Sequence, residues 1–315
     1  APFFICVKIV AAVVLAGNNY RAEARDMVQS VKEYTVYKEP MGRYFDTPKA
    51  LYSWFDYRIP SQVAAIEALQ SVAPNDVQTV NEMKQWLLQS KRTQAWDTPI
   101  NSVNAVYAFF GGDCSSLAAN KPMAVLKLNG QKLDMPKATA GLGYVKISKS
   151  GSRMKTLSVE KPAEGTSWGA VYAQFEQPTA DVADAAEGMS VVREVLKNGK
   201  KISADGATLA VGDRITVRIT IKAERDYDFV QLVDRRAACL EPLGQLSGYN
   251  GAYYCAPKDN ATNYYFDRLS KGKHVVETEY YVDRKGVYQT GTCVVQCAYS
   301  PEFAARTKAI VLSVR

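Results

Sequence analysis

Asp46, Asp56 and Asp97, with Trp54, Trp86 and Trp96, are the side chains of this 315-residue sequence best suited to work on a sugar. Paired carboxyls can act as acid and base across a glycosidic bond, and indole faces can line the cleft around it. Two of the acids open helices, in Asp46-Thr47-Pro48 and Asp97-Thr98-Pro99. Capping and the helix dipole account for an aspartate there. The tryptophans fall at helical spacing, where aromatics usually belong to a core. No D-x-D-D acid motif is present, so no catalytic residue is assigned.

Other chemistries find less. The sequence has no G-x-S-x-G, no phosphate-binding G-x-x-x-x-G-K-[ST] and no H-E-x-x-H. His274, the sole histidine, follows the turn Lys271-Gly272-Lys273 and reads as a surface residue. One histidine rules out a His-rich metal centre, and the six cysteines contain no C-x-x-C pair. No cofactor-binding or metal-binding residues are assigned, and no cofactor is expected. Cys293 and Cys297 share one apparent strand, so their Cα atoms lie roughly 13 Å apart, beyond the ~7 Å reach of a disulfide. For Cys239 and Cys255 a bridge and free, partly buried thiols both stay open.

The elements that would position these residues divide at Gly111-Gly112. Before it the apolar period is helical. Met83, Trp86 and Leu87 lie on one face of a helix in the stretch from Glu82, and Pro99 starts a second with Val103, Val106, Tyr107 and Phe110 as its apolar stripe. Arg21 to Tyr34 and Pro60 to Val72 are further helices, and the recurrence of Asp-Thr-Pro reads as an internal repeat of helical hairpins. Phe3 to Ala16 is apolar but interrupted by Lys8 and shorter than the roughly 18 residues a membrane span needs. A buried helix is expected there. The signal-peptide alternative rests on Val14-Leu15-Ala16 as a cleavage site. The absence of an initiator Met and a start inside a helix suggest a piece of something longer.

After Gly112 the period becomes two. Val125 to Leu128 and Lys132 to Met135 flank Asn129-Gly130, a hairpin signature. Tyr144 to Ile147, Thr156 to Val159 and Trp168 to Phe175 read as strands, and Pro178 to Glu187 as a linker or a mobile loop. Ile215, Val217, Ile219 and Ile221 alternate with Thr216, Arg218, Thr220 and Lys222, the mark of a half-buried antiparallel strand. Phe229 to Val233, Tyr264 to Phe266, Val275 to Val282, Thr292 to Ala298 and Lys308 to Val314 complete a β-sandwich pattern. The expected fold is multidomain α + β: helices over 1–112, a small antiparallel β domain over 113–180 and a sandwich over 181–315. A net charge of +7 with dispersed Lys and Arg gives no nucleic-acid signal.

Two runs, YFDTPKALYSWFDYRIPSQVAAIEAL and WLLQSKRTQAWDTPINSVNAVYAF, resemble the later hairpins of the α/α-toroid of bacterial alpha-2-macroglobulin-like proteins. The stretches TSWGAVYAQFEQP, VGDRITVRITIKAERDYDFVQLVDRRAACLEPLGQLSGY and GTCVVQCAYSPEF resemble the β domains that follow it. The resemblance implies the second half of the toroid, a CUB-like β domain and a macroglobulin-type sandwich. It also implies a periplasmic or membrane-anchored protein of the cell envelope that traps peptidases of broad range and is not an enzyme. Its implied partners are those peptidases and upstream macroglobulin domains, with membrane contact only through an anchor outside these residues. Thioester-bearing members carry Cys-x-Glu-Gln. Cys239-Leu240-Glu241-Pro242 lacks the Gln and Cys6-Val7-Lys8-Ile9 fails as well, so no thioester role is carried over. A toroid carbohydrate-active or cyclase-like enzyme and a non-inhibitory envelope scaffold are the alternatives. Half a toroid would leave apolar helix faces uncovered.

Overall fold

The computed structural model describes residues 5–46, 58–96, 98–111, 124–136, 145–151, 154–162, 167, 169–202 and 208–315. Trp54, Asp56, Asp97, Cys114 and most of the first Asp-Thr-Pro segment, Thr47 to Tyr57, lie outside the described residues. Among the described residues the fold is mixed α and β, with five helices first and antiparallel sheets after them. Two compact units divide it: Ala1–Leu88 with Trp96–Tyr172, and Gln89–Ala95 with Ala173–Arg315.

The first unit holds α1 (Ile5–Gly17), α2 (Arg21–Glu33), α3 (Arg58–Val72), most of α4 (Val77–Thr93) and α5 (Pro99–Phe110). The central helix is α3, which packs against α1, α2 and α5. Alanines at 65 and 68 and Ile66 and Leu69 are almost wholly buried on it. The start of α5 follows the expected chemistry, with Pro99 in the first turn, although Thr98 at the N-cap makes no side-chain capping bond. Gly111 ends it in the left-handed conformation at φ 66°. The Lys84 ammonium reaches the Phe109 carbonyl at 2.7 Å, supplying a donor and a positive charge to that C-terminus.

Three expectations for this unit change. Helix α1 is buried on one side only, through Ile5, Ile9 and Ala12, while Val7, Val10 and Val14 are exposed. On α5 the inward residues are Asn101, Ala105 and Ala108; Val103, Val106 and Tyr107 face out. Small side chains let α5 approach α3 closely, which turns the larger apolar stripe away. Third, the helices are interrupted by a hairpin, β1 (Thr35–Lys38) and β2 (Gly42–Phe45). Its turn ends at Gly42, φ +82°, where a Cβ would stand 2.3 Å from the Glu82 carbonyl oxygen. Only glycine fits that approach. Arg43 pairs with Glu82 at 2.7 Å, Tyr44 stacks on Trp86, and buried Gln62 donates to the Arg43 and Met83 carbonyls. A small sheet follows, β3 (Val125–Leu128) between β4 (Gln131–Lys132) and β5 (Leu157–Glu160). Its turn has Asn129 at φ 50° and Gly130 at φ 82°, the primed turn that the Asn-Gly pair predicts. At 145–147 and 169–175, where strands are expected, the described residues form no strand.

The second unit is a β-sandwich. In chain order its strands are β6 (Ala185–Ala186), β7 (Met189–Lys197), β8 (Lys200–Lys201), β9 (Thr208–Leu209), β10 (Arg214–Ala223), β11 (Tyr227–Arg235), β12 (Leu240–Pro242) and β13 (Gly248–Asn250). They continue with β14 (Tyr253–Pro257), β15 (Ala261–Leu269), β16 (Gly272–Val282), β17 (Gly286–Gln289), β18 (Cys293–Cys297), β19 (Ser300–Thr307) and β20 (Val311–Val314). One sheet runs β12-β16-β10-β7-β8, the other β13-β14-β15-β11-β18-β19-β6, with a small third sheet β17-β20-β9. The alternation of β10 is realised, with Ile215, Val217, Ile219 and Ile221 all buried. Facing them are Val230, Leu232, Val295 and Phe303. The segment expected as a linker, Pro178 to Glu187, contains a short 3-10 turn and β6, which pairs with β19.

Candidate functional site

The charged residues that break the inward phase of two strands mark the most constrained polar cluster. On β7 Met189, Val191 and Val195 are buried in alternation, with Leu196 buried as well at the strand's end, so position 193 of the alternating set should be apolar; it is Arg193. On β11 the run Val230, Leu232 continues inward to Asp234. The two meet between the sheets, guanidinium to carboxylate at 2.9 Å, with both side chains 3% exposed. Arg193 also donates to the carbonyls of Arg235, Gly291 and Lys308 and to the Thr290 hydroxyl, at 2.9 to 3.3 Å. One side chain thus ties β7 to β11 and to the segments leading into β18 and β20.

Two more polar contacts cross the sandwich. Thr262 on β15 meets the Tyr280 hydroxyl of β16 at 3.1 Å, and the Tyr264 hydroxyl of β15 meets Thr278 of β16. Burial pushes the Tyr280 phenol up to about 12, with the Asp234 charge adding to it, and raises Tyr264 further. Burial also raises the Asp234 carboxyl, against the pull of the Arg193 guanidinium. The Cys293 thiol beside it is raised well above the ordinary range by burial and by the Asp234 charge. A cavity of about 10 Å³ bounded by Arg193, Asp234, Thr290 and Leu240 has room for about one water at most. The cluster cannot admit a substrate, and its thiol and carboxyl are shielded from one. What this arrangement can do is hold two sheets in one register.

Of the described residues singled out for chemistry, Asp46, Trp86, Trp96 and His274, none lines that cavity. Asp46 is exposed at the end of β2. Trp86 is 6% exposed and lies in the first unit's core, and Trp96 is half-buried. A ring nitrogen of His274 bonds the Ser270 carbonyl at 2.7 Å, closing the turn before β16. Cys6, Cys239, Cys255, Cys293 and Cys297 are free thiols, which resolves the Cys239 and Cys255 alternatives. Among the described residues no three His, Cys, Asp or Glu side chains form a metal-binding group, and no helix is long and apolar enough to cross a membrane. The sequence reasoning missed Arg193 and Asp234. Their signal was present: each is a charge standing at an inward position of an otherwise apolar alternation.

Residues 188–302 match the family model described as "Bacterial Alpha-2-macroglobulin MG10 domain". No curated protein matches. Among solved structures, trypsin-activated alpha-2-macroglobulin from Escherichia coli is similar over 99% of this chain at 14% identity, with a TM-score of 0.51. The elastase-activated form of the Escherichia coli protein matches over 93% at 16% identity, with a TM-score of 0.44. The chain spans about a quarter of those two proteins, 24% and 26% of their lengths.

Proposed function

We propose that this chain, which belongs through residues 188–302 to the bacterial alpha-2-macroglobulin family, is the C-terminal region of a cell-envelope peptidase trap and has no catalytic role of its own. The observation that carries the reading is the MG10 match, in a chain similar in fold to the Escherichia coli protein over 99% of its length. Residues 1–112 then form the second half of an α/α-toroid, 113–180 a CUB-like β domain and 181–315 the macroglobulin sandwich. The outward valines of α1 and the outward Val103, Val106 and Tyr107 of α5 support the toroid, since further helical hairpins would cover both flanks. The Escherichia coli protein is trypsin-activated in the matched structure, and serine peptidases of that kind are the partners proposed here. A periplasmic or envelope-anchored location goes with the family.

In such a trap the peptidase supplies the chemistry, by cutting a bait segment, and the body supplies the rearrangement. The sandwich serves this as a stiff module: its interior is pinned by the Arg193 and Asp234 pair, so it moves as a unit. Native gel electrophoresis of the full-length protein after limited trypsin treatment tests the reading. A discrete mobility change, with trypsin comigrating, is expected. Unchanged mobility after cleavage of the full-length chain would refute it.

A further inference from the structure

The outer face of the seven-stranded sheet carries a row of side chains in strand register: Tyr249, Tyr254, Tyr265, Gln231 and Gln296, one each from β13, β14, β15, β11 and β18. At the ~4.8 Å spacing of strands the row runs about 19 Å. Its inward neighbours Tyr264, Leu232 and Val295 are buried, so the row faces away from the core. Tyr249 is 77% exposed and Tyr265 40%. The Tyr249 and Tyr254 rings stand edge to face, centroids 5.1 Å apart, which fixes their tilt. The Tyr265 oxygen receives the amides of Asn263 at 3.3 Å and Gln231 at 3.5 Å, leaving its own hydrogen to donate outward.

Charge narrows the occupant. Three phenols and two carboxamides carry no formal charge, and each can both donate and accept. Of the two flanking rows on the same face, Ala256, Asn263, Val233 and Val294 are uncharged up to Arg306, while the other carries exposed Phe229 and a single acid, Asp267 on β15. The opposite sheet differs: its outer face carries Glu194 with Lys201 and Arg218 with Glu277 as ion pairs. An anionic ligand would find no cation along the tyrosine row. A polyproline segment brings acceptors but no donors of its own, and would use half of what the row offers. A pyranose chain presents apolar C–H faces to the rings and hydroxyls that both give and take to the amides. We propose that this face binds a neutral glycan chain laid across the strands, with Tyr249 and Tyr265 stacking on its rings and Gln231 and Gln296 reading its hydroxyls.

The proposal stands apart from peptidase trapping and is tested separately. Titration calorimetry of the full-length protein would use cellohexaose and chitohexaose as probes, with decaproline as the competing ligand. At least one hexasaccharide should bind. The Tyr249→Ala/Tyr265→Ala variant should bind it about tenfold or more weakly, and Gln231→Ala roughly twofold to tenfold more weakly, with the melting temperature unchanged. Absence of binding by both sugars, retention of affinity in the tyrosine variant, or tyrosine-dependent binding of decaproline in preference to both sugars would each overturn it.

Discussion

Replacing Asp234 by Leu removes the carboxylate that faces Arg193 at 2.9 Å in a site where each side chain is 3% exposed. The guanidinium keeps its neutral acceptors at Arg235, Gly291, Lys308 and Thr290 but loses its counter-charge. An uncompensated buried charge of this kind costs about 3–5 kcal/mol. Replacing Arg193 by Met costs a similar amount, since it strands the Asp234 charge. The double variant carries no stranded charge, and the four acceptors keep other donors: the Gly291 and Ile310 amides and the Thr290 and Thr307 hydroxyls. The two single costs sum to about 6–10 kcal/mol, so the double variant should be destabilised by clearly less than that sum, with a coupling of about 2–3 kcal/mol or more. Native-state hydrogen exchange at the Ile219 and Leu232 amides, in the centre of β10 and β11, reads this directly in the second unit. Additive effects, or an Asp234→Leu variant within about 1 kcal/mol of the parent, would refute the reasoning that the pair is a buried clasp.

Gly42→Ala should destabilise the first unit by at least about 2 kcal/mol in urea unfolding, because φ +82° is strained for any other residue and the new Cβ meets the Glu82 carbonyl. Acid should loosen the second unit through Asp213: its bond from Lys197 and that from the Ala210 amide hold its carboxyl below the usual aspartate value. A depressed folded pKa gives stability that is present above the ordinary aspartate range and lost as pH falls below about 4 toward the folded value. Asp213→Asn should therefore flatten the melting temperature between pH 5 and pH 2, which thermal melts over that range would measure. Thiol titration with a disulfide reagent should label exposed Cys6 in the native protein, whereas Cys239, Cys293 and Cys297, buried and with thiols raised by burial, should react only on unfolding.

How far the sequence speaks depends on whether a residue's neighbours are local. The Ile215 to Ile221 alternation and the Asn129-Gly130 turn need nothing beyond their own few residues, and both were legible. The hairpin of β1 and β2 was not, because its defining residue, Gly42, is required by the Glu82 carbonyl forty positions away. Residues 145–147 and 169–175 have strand-like composition but form no strand among the described residues, since composition alone does not supply the hydrogen-bonded neighbour that makes one. On α5 the periodicity located a helix and its apolar stripe correctly, yet pointed that stripe inward. Ala105 and Ala108 win the inner side because close approach to α3 favours small residues, and what covers the larger face is not encoded in the helix itself. Arg193 and Asp234 were readable in principle, from a phase argument that binary hydrophobic patterning passes over.

The peptidase-trap reading is tested most directly by the ratio of trypsin activity on a large protein substrate to its activity on a small chromogenic peptide, measured with the full-length protein in excess. The account predicts that the small substrate is still cleaved at close to the free rate while hydrolysis of the large one falls severalfold. Equal activity on both, with the full-length protein visibly cut, would contradict it.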